Sequence, residues 1–219
     1  MSSGFVRHAV AAAACAVAFA SPVTAQSRQT GATPKIGIRP FLLVSGQRFA
    51  AAQTFEAVFG KATAPFWGGG GEVTFRNGLF IDVAASRFRQ TGQRVFRFNN
   101  QNFGLGIPLR AKLTPIEVTG GLRFRTGTRI IPYAGAGIGS YKYEEESEFS
   151  DASENLSTRH VGYLAMGGVE IRVHRLVGTS VDVQFTHVPA ILGQAGISRA
   201  LGEHDLGGVS ARVRVLVGR

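Results

Sequence analysis

The sequence is short of the residues that disulfide-stapled proteins, thiol enzymes and thiolate metal sites require. It contains a single cysteine, Cys15, which lies in an apolar run close to the N-terminus. Beyond residue 15 the sequence therefore excludes a disulfide framework, a thiolate metal site and a cysteine nucleophile. Long apolar runs are missing too, because glycine or charged residues interrupt each later apolar stretch before it reaches about 18 residues, so no transmembrane helix is predicted.

The N-terminus has the pattern of an export signal. The pair Arg7-His8 precedes an apolar run over residues 9–20, which is too short to span a bilayer. Small residues follow and end at Ala25, in a form that signal peptidase accepts. We therefore predict a signal peptide over residues 1–25. A lipoprotein signal at Cys15 is the alternative, although the residues before it lack the usual leucine.

The remaining sequence is expected to form one domain. No proline-rich or serine-rich linker divides it, and its length suits a single folded unit. We predict a short periplasmic segment over residues 26–34 and the folded domain over residues 35–219.

Positive charge exceeds negative charge, with 24 Lys and Arg residues against 14 Asp and Glu residues and a formal net charge of +10. Such a balance is common in nucleic-acid-binding proteins, but an export signal argues against nucleic acid as a partner. Outside the cell membrane, the expected polyanions are the phosphates of lipopolysaccharide or other surface polymers. Scattered arginine also fits the polar face of strands.

The pattern after the signal is that of strands. No segment keeps a 3.6-residue apolar period over three turns, whereas eight segments of about ten residues repeat apolar residues at every second position. This repeat predicts an all-β fold, an eight-stranded antiparallel up-and-down transmembrane β-barrel. The predicted strands cover residues 35–48, 67–76, 79–89, 113–125, 129–144, 159–174, 177–187 and 205–219.

Short and long connections alternate along the chain. Tight turns are predicted near residues 77, 127 and 175, and long connections over residues 49–66, 90–112, 145–158 and 188–204. Outer-membrane barrels have short periplasmic turns and longer external loops, so both ends of the barrel domain are expected in the periplasm.

The two faces of the strands must also be oriented. In a soluble lipocalin-like barrel the apolar face would point inward, but here the polar face carries both acids and arginines, which suits a self-pairing interior. The lumen of an eight-stranded barrel is just wide enough for side chains to fill it. We predict an ionic network that seals the lumen, with a polar path for solute as the alternative, formed by Arg39, Glu72, Arg76, Asp82, Glu117, Arg123, Glu170, Arg172, Asp182, Arg212 and Arg214.

Aromatic residues on the apolar face favour the same orientation. Phe75 and Phe124 lie near the tight-turn ends of the strands, and Trp67 and Tyr163 near the long-loop ends. Two interfacial girdles would have this arrangement, although ordinary core packing is the alternative.

The second and third long connections have opposite charges. The third is acidic, whereas the second and its flanks are rich in arginine. Pairing between these connections is one interpretation. The other is contact with lipopolysaccharide phosphates through Arg87, Arg89, Arg94 and Arg97.

Four stretches resemble a known family: Phe55–Gly60, Leu113–Gly121, Pro132–Gly137 and Asp205–Gly208. With the strand pattern, they are similar to the small outer-membrane β-barrels of the OmpA/OmpX/OmpW-like group. The resemblance implies outer-membrane lipid, lipopolysaccharide and the barrel assembly machinery as partners. Family barrels usually end in an aromatic residue that this machinery reads, and here Gly218-Arg219 stands in its place.

No catalytic or metal constellation stands out. His160, His174, His187 and His204 lie on different segments without a close metal pair, and His187 has no serine beside it. We predict a monomeric, non-catalytic barrel in the outer membrane of a Gram-negative-type bacterium, without cofactor or metal, that has an envelope structural or surface-interaction role. The alternatives are a narrow passive channel or binder for small apolar molecules, and a lipid-modifying enzyme.

Overall fold

The computed structural model of this chain describes residues 36–99, 101–124, 129–147, 156–174, 176–193 and 196–218. The predicted signal peptide (1–25) and periplasmic segment (26–34) lie outside the described residues. No helix in the described ranges has the length and apolar character needed to cross a membrane.

The described chain closes into a barrel of eight antiparallel strands, which confirms the predicted fold. Each strand pairs with the next one along the chain, and the last strand pairs with the first. The strands are β1 (Gly37–Phe49), β2 (Thr63–Thr74), β3 (Leu79–Phe98), β4 (Gln101–Arg123), β5 (Ile130–Ser147), β6 (Leu156–Arg172), β7 (Val177–His187) and β8 (Gly208–Val217).

Strand β8 shows how the sequence sets the orientation of the barrel. Successive side chains of a strand point to opposite faces, and on β8 exposed and buried residues alternate along its whole length. Val213 is 40% exposed on the outside, whereas its neighbour Arg214 is 2% exposed in the lumen. On β8 the valines therefore face outward and Arg212 and Arg214 face inward, as predicted for a barrel surrounded by lipid.

The turn between β2 and β3 forms near residue 77, as predicted, at the sequence Asn77-Gly78. Gly78 has a φ of 90°, which residues with a side chain rarely adopt, and a Cβ at this position would lie 2.8 Å from the carbonyl oxygen of Arg123. The Asn77 side chain accepts a hydrogen bond from the backbone N–H of Leu79 at 3.1 Å. The predicted turns at residues 127 and 175 lie outside the described residues.

The predicted long connection over residues 90–112 is wrong. Strands β3 and β4 extend toward each other as a paired hairpin that reaches Phe98 and Gln101, so only residues 99 and 100 connect them. The register shifts between Gln93 and Val95, and this bulge interrupts the alternation on which the prediction relied. The predicted strand 67–76 also begins earlier, at Thr63.

Two helices occupy connections that the sequence predicted as loops. They are α1 (Ala52–Phe59), between β1 and β2, and α2 (Gly196–Leu201), between β7 and β8. Helix α1 buries Phe55 and Val58 and ends at Gly60, which has a φ of 74°. Its N-terminus is capped by a residue that is distant in sequence. The carboxylate of Glu203 accepts hydrogen bonds from the N–H groups of Gln53 and Thr54 at 3.1 and 2.7 Å.

Candidate functional site

The half of the lumen nearer the short turns contains a first group of paired charges. Arg123 donates a hydrogen bond to Glu72 at 2.6 Å and another to Glu170. Arg39 donates to Glu170 at 2.7 Å, and its second nitrogen lies 3.7 Å from Glu72. Two carboxylates and two guanidinium groups from β1, β2, β4 and β6 thus neutralise one another.

A second group lies next to the first and extends to the middle of the barrel. Arg214 donates a hydrogen bond to Asp82 at 2.9 Å and has its Nε 3.2 Å from Asp182. Arg212 donates to Asp182 at 2.5 Å and has Nη1 3.7 Å from Glu117. We call these two groups together the ionic layer, and its charged members are Arg39, Glu72, Asp82, Glu117, Arg123, Glu170, Asp182, Arg212 and Arg214.

Two residues predicted for this network are placed differently. Arg76 is exposed in the turn between β2 and β3, so its prediction as a lumen residue is wrong. The side chain of Arg172 is 55% exposed at the end of β6, with its Nε 4.0 Å from Glu170. The ionic layer thus holds five carboxylates and four buried guanidinium groups, and Arg172 adds a fifth cation at its edge.

Neutral side chains that the sequence analysis did not assign to the network complete it. The Tyr133 hydroxyl donates to Asp182 at 2.7 Å and accepts from Arg214 at 2.7 Å. Tyr141 and Gln184 donate to Glu117 at 2.7 and 3.0 Å. The signal was present in the sequence, since Tyr133 and Tyr141 occupy odd positions of β5, the same face as its small glycines.

The half of the lumen nearer the long connections is filled with hydrocarbon. Helix α1 places Phe55 into the barrel mouth, where its ring stacks on Phe49 with 3.8 Å between centroids. Phe66 stacks on Phe88 at 5.3 Å, and residues of the β7–β8 connection pack beside these rings. We call this packed cluster the aromatic layer; it includes Phe49, Phe55, Phe66, Phe88, Leu113, Tyr143, Val188, Ile191, Leu192 and Leu206.

The residues predicted for the aromatic girdles lie at the two ends of the outer surface. Trp67 and Tyr163 are 65% and 61% exposed, near the loop end of the apolar belt. Phe124 is exposed and Phe75 is half-buried, and both lie near the turn end. This placement is compatible with two girdles, whose contact with the membrane interface stays a prediction.

The four arginines predicted to contact lipopolysaccharide fall into two pairs. Arg87 and Arg89 lie on the outward face of β3 at the loop end of the apolar belt, where the half-buried Arg87 is paired with Trp67 on β2. Arg94 and Arg97 lie further along the hairpin, beside the bulge, and are half-buried. Both of these have contacts with other groups of the protein.

A lysine of the second predicted connection meets a carboxylate that flanks the third, on β4 and β5. Lys112 Nζ lies 3.2 Å from one carboxylate oxygen of Glu144, and Lys142 donates a hydrogen bond to the other at 2.6 Å. The hydrogen bond from Lys142 and the nearby Lys112 ammonium hold the pKa of the Glu144 carboxyl below its ordinary value.

The end of the β3–β4 hairpin presents an apolar face to the outside. Phe96 and Phe103 lie opposite each other on the two strands and are 56% and 47% exposed. Phe98 and Leu105 are also exposed. Four large apolar side chains in one exposed region are unusual so far from the lipid-facing belt.

His187 pairs with a carboxylate at the start of the β7–β8 connection. His187 Nδ1 lies 2.7 Å from the Asp205 carboxylate, whose other oxygen accepts from the N–H groups of Val188 and Gly207. This aspartate therefore organises the β7–β8 connection. Within the described ranges, no group of three His, Cys, Asp or Glu side chains is arranged to hold a metal ion.

Comparison with known proteins agrees with this architecture. The family model for the outer membrane protein beta-barrel domain matches residues 11–202. The chain belongs to this family. Members of this barrel family reside in the bacterial outer membrane, and the ionic layer lies inside the barrel of this member. A comparison with curated protein sequences finds no match.

Solved structures of other small barrels are similar to the described fold. Neisserial surface protein A (NspA) matches with a TM-score of 0.51 at 15% identity, over 84% of this chain and 99% of that chain. Ail of Yersinia pestis matches with a TM-score of 0.44 at 14% identity, over 83% and 96%. Outer membrane protein W of E. coli matches with a TM-score of 0.43 at 16% identity, over 82% and 97%. The likeness to NspA indicates a shared fold.

Proposed function

We propose that this outer-membrane barrel is a non-catalytic, solute-impermeable protein that reinforces the envelope and contacts its surroundings through the surface beyond the membrane. The observation that carries the proposal is the filling of the lumen by two different layers, one ionic and one aromatic. A channel needs a continuous path, whereas each layer closes the lumen in a different half of the barrel.

The ionic layer supports closure because its charges are paired rather than hydrated. Glu72 and Glu170 are each 1% exposed, so a water-sized solute has almost no access to them. Each carboxylate is balanced by at least one guanidinium group within 4.0 Å. Removing charges from water is costly unless they are paired, and a stable network therefore resists entry of single ions.

The aromatic layer supports closure for a different reason. Phe55 and Phe88 are 2% and 1% exposed, and their rings are in contact with other rings rather than bordering an open passage. Close-packed side chains leave few voids large enough for a solute. The narrow channel or apolar binder remains the alternative, and it requires rearrangement of this layer.

The outward surface supports a contact role. Arg87 and Arg89 lie where the apolar belt ends, at the level expected for phosphates of lipopolysaccharide, and guanidinium groups bind phosphate with paired hydrogen bonds. Arg94 and Arg97 are proposed as a second, higher contact, within a hairpin that also presents Phe96 and Phe103. We also propose that the protein acts as a monomer and that the barrel assembly machinery inserts it.

Planar-bilayer recording of the purified, folded protein tests the proposal. We expect no discrete conductance steps in potassium chloride, with or without a small alkane in the bath. A folded eight-stranded barrel of known conductance serves as the control for insertion. Reproducible steps, or steps that respond to the alkane, would favour the channel and reject the sealed barrel.

A further inference from the structure

The outer surface of the barrel has a recess near the end with the short turns. Its volume is about 590 Å³, and its lining is almost entirely apolar. Phe75, Leu79, Ile81 and Gly120 contribute to this lining, and Arg76 and Asn77 form its edge at the turn. We call it the turn-end recess.

The recess exists because a glycine lies among large outward side chains. Gly120 of β4 is exposed on the outer face opposite Ile81 of β3, and a Cβ built on it meets no atom within 4 Å. The outward neighbours Leu79 and Leu122 are paired with each other one row closer to the turn. Phe80, which is 1% exposed from its place on the lumen side, closes the floor beneath.

The surroundings of the recess indicate which class of molecule fits it. Leu79, Ile81 and Leu122 belong to the outward apolar surface, so the recess opens toward hydrocarbon rather than toward water. Short turns of outer-membrane barrels lie on the periplasmic side, where the membrane leaflet consists of glycerophospholipid. An acyl chain has the shape and the apolar character to fill such a depression.

Arg76 can fix the position of a lipid in the recess, which an apolar lining alone does not do. Lipid tails are as apolar as leucine, so hydrophobicity alone does not hold a lipid against the barrel. Arg76 is exposed at the edge of the recess, and a guanidinium group binds a phosphate with charge-assisted hydrogen bonds. The residue that does not enter the ionic layer thus has the position of a headgroup ligand.

We propose that the turn-end recess binds one anionic glycerophospholipid of the periplasmic leaflet, with an acyl chain over Gly120 and the phosphate at Arg76. The site is independent of the lumen and of the surface contacts proposed above. Binding combines tight packing of the chain in the recess with one phosphate contact at the membrane interface.

Native mass spectrometry of the intact folded barrel tests this proposal, with palmitoyl-oleoyl phosphatidylglycerol added to the protein in mild detergent. We expect one retained lipid per barrel. Gly120→Leu fills the recess and leaves no space for the acyl chain, whereas Arg76→Gln removes a charge-assisted contact with the phosphate. Each is expected to reduce the retained fraction by at least roughly tenfold.

Matched variants distinguish a site from general lipid adhesion. Gly167→Leu adds the same side chain at an exposed glycine of β6 outside the recess lining, where the nearest atom to a new Cβ is 3.8 Å away. Arg129→Gln removes an exposed arginine at the start of β5. Both controls are expected to retain the lipid, and heat-modifiable gel mobility verifies that all four variants are folded.

Three results would overturn the proposal. Equal retention by Gly120→Leu and Gly167→Leu would indicate unspecific annular lipid. Equal retention by Arg76→Gln and Arg129→Gln would show that the phosphate lies elsewhere. Displacement of the bound phosphatidylglycerol by lipopolysaccharide at the same site, with the same sensitivity to Gly120→Leu, would identify an outer-leaflet ligand instead.

Discussion

Asp82 on β3 accepts a hydrogen bond from Nη1 of Arg214 on β8 at 2.9 Å, across a separation of 132 residues in sequence. These two strands share no backbone ladder, because β1 and β2 lie between them around the barrel. Arg214 also contacts Asp182 of β7 and Tyr133 of β5. One guanidinium group therefore links distant parts of the barrel wall through the lumen.

Replacing Arg214 by methionine is expected to lower the free energy of unfolding by about 3–5 kcal/mol, because it leaves buried Asp82 and Asp182 short of a partner. Urea titration of the protein in lipid vesicles measures this loss through the fluorescence of the single tryptophan, Trp67. Val213→Ala, on the lipid side of the same strand, is the control. A loss no larger than that of the control would mean that the network contributes little.

The contact between Glu203 and α1 predicts a local effect rather than a global one. Glu203→Ala removes the acceptor for the N–H groups of Gln53 and Thr54, and loss of a helix cap costs about 1 kcal/mol. We expect hydrogen exchange at Thr54 to accelerate roughly fivefold, while exchange in β8 stays unchanged. Glu56→Ala, on the exposed side of α1, is the control. Uniform acceleration throughout the barrel would contradict a capping role.

Because the ionic layer and the aromatic layer lie in different halves of the lumen, either one alone is expected to block the passage of ions. Phe55→Ala removes a side chain that is 2% exposed, at an expected cost of about 3–5 kcal/mol for the cavity it leaves. Because the ionic layer remains, the variant is still expected to give no conductance in a planar bilayer. Ion steps from this variant alone would show that the aromatic layer is the only barrier.

The outward arginines predict a dependence of lipid association on charge. The double variant Arg87→Gln/Arg89→Gln is expected to reduce the lipopolysaccharide that co-purifies with the protein by roughly tenfold, because two charge-assisted contacts are lost. Arg129→Gln, at the opposite end of the barrel, is expected to leave it unchanged. Equal amounts in all three preparations would reject the contact at Arg87 and Arg89.

The apolar end of the hairpin predicts an effect on surface adhesion without an effect on folding. Phe96 and Phe103 are exposed, so Phe96→Ser/Phe103→Ser is expected to change the free energy of unfolding by less than about 0.5 kcal/mol. Cells that display this variant are expected to partition less into hexadecane than cells that display the natural protein. Unchanged partitioning at equal surface amounts would argue against an apolar contact surface.

The strands of the barrel could be predicted because the alternation of apolar and polar residues is visible within each strand alone. On β8, alternation of valine and alanine with Ser210, Arg212 and Arg214 determines which face meets lipid, and the structure has the same assignment. The β3–β4 hairpin was missed for an equally local reason. The bulge between Gln93 and Val95 shifts the register, so side chains beyond it no longer follow the alternation of residues 79–89.

The sequence predicted the charged residues of the ionic layer, but it did not predict which of them form ion pairs with one another. Nine charged residues of the ionic layer could be selected by their strand face, whereas Arg76 has the same chemistry and lies in a turn. Which arginine meets which carboxylate depends on register and on distances across the lumen. Helix α1 was beyond prediction for a related reason, since its capping carboxylate, Glu203, lies about 150 residues away in sequence.

The cap on α1 also constrains the order of events during biogenesis. The helix is made early, from the first connection, but Glu203 and one part of the aromatic layer, Val188, Ile191, Leu192 and Leu206, arrive with the last one. The loop end of the lumen is therefore not fully packed until β8 pairs with β1. We therefore expect the loop end of the lumen to close only when the last two strands are in place, so that insertion and closure coincide.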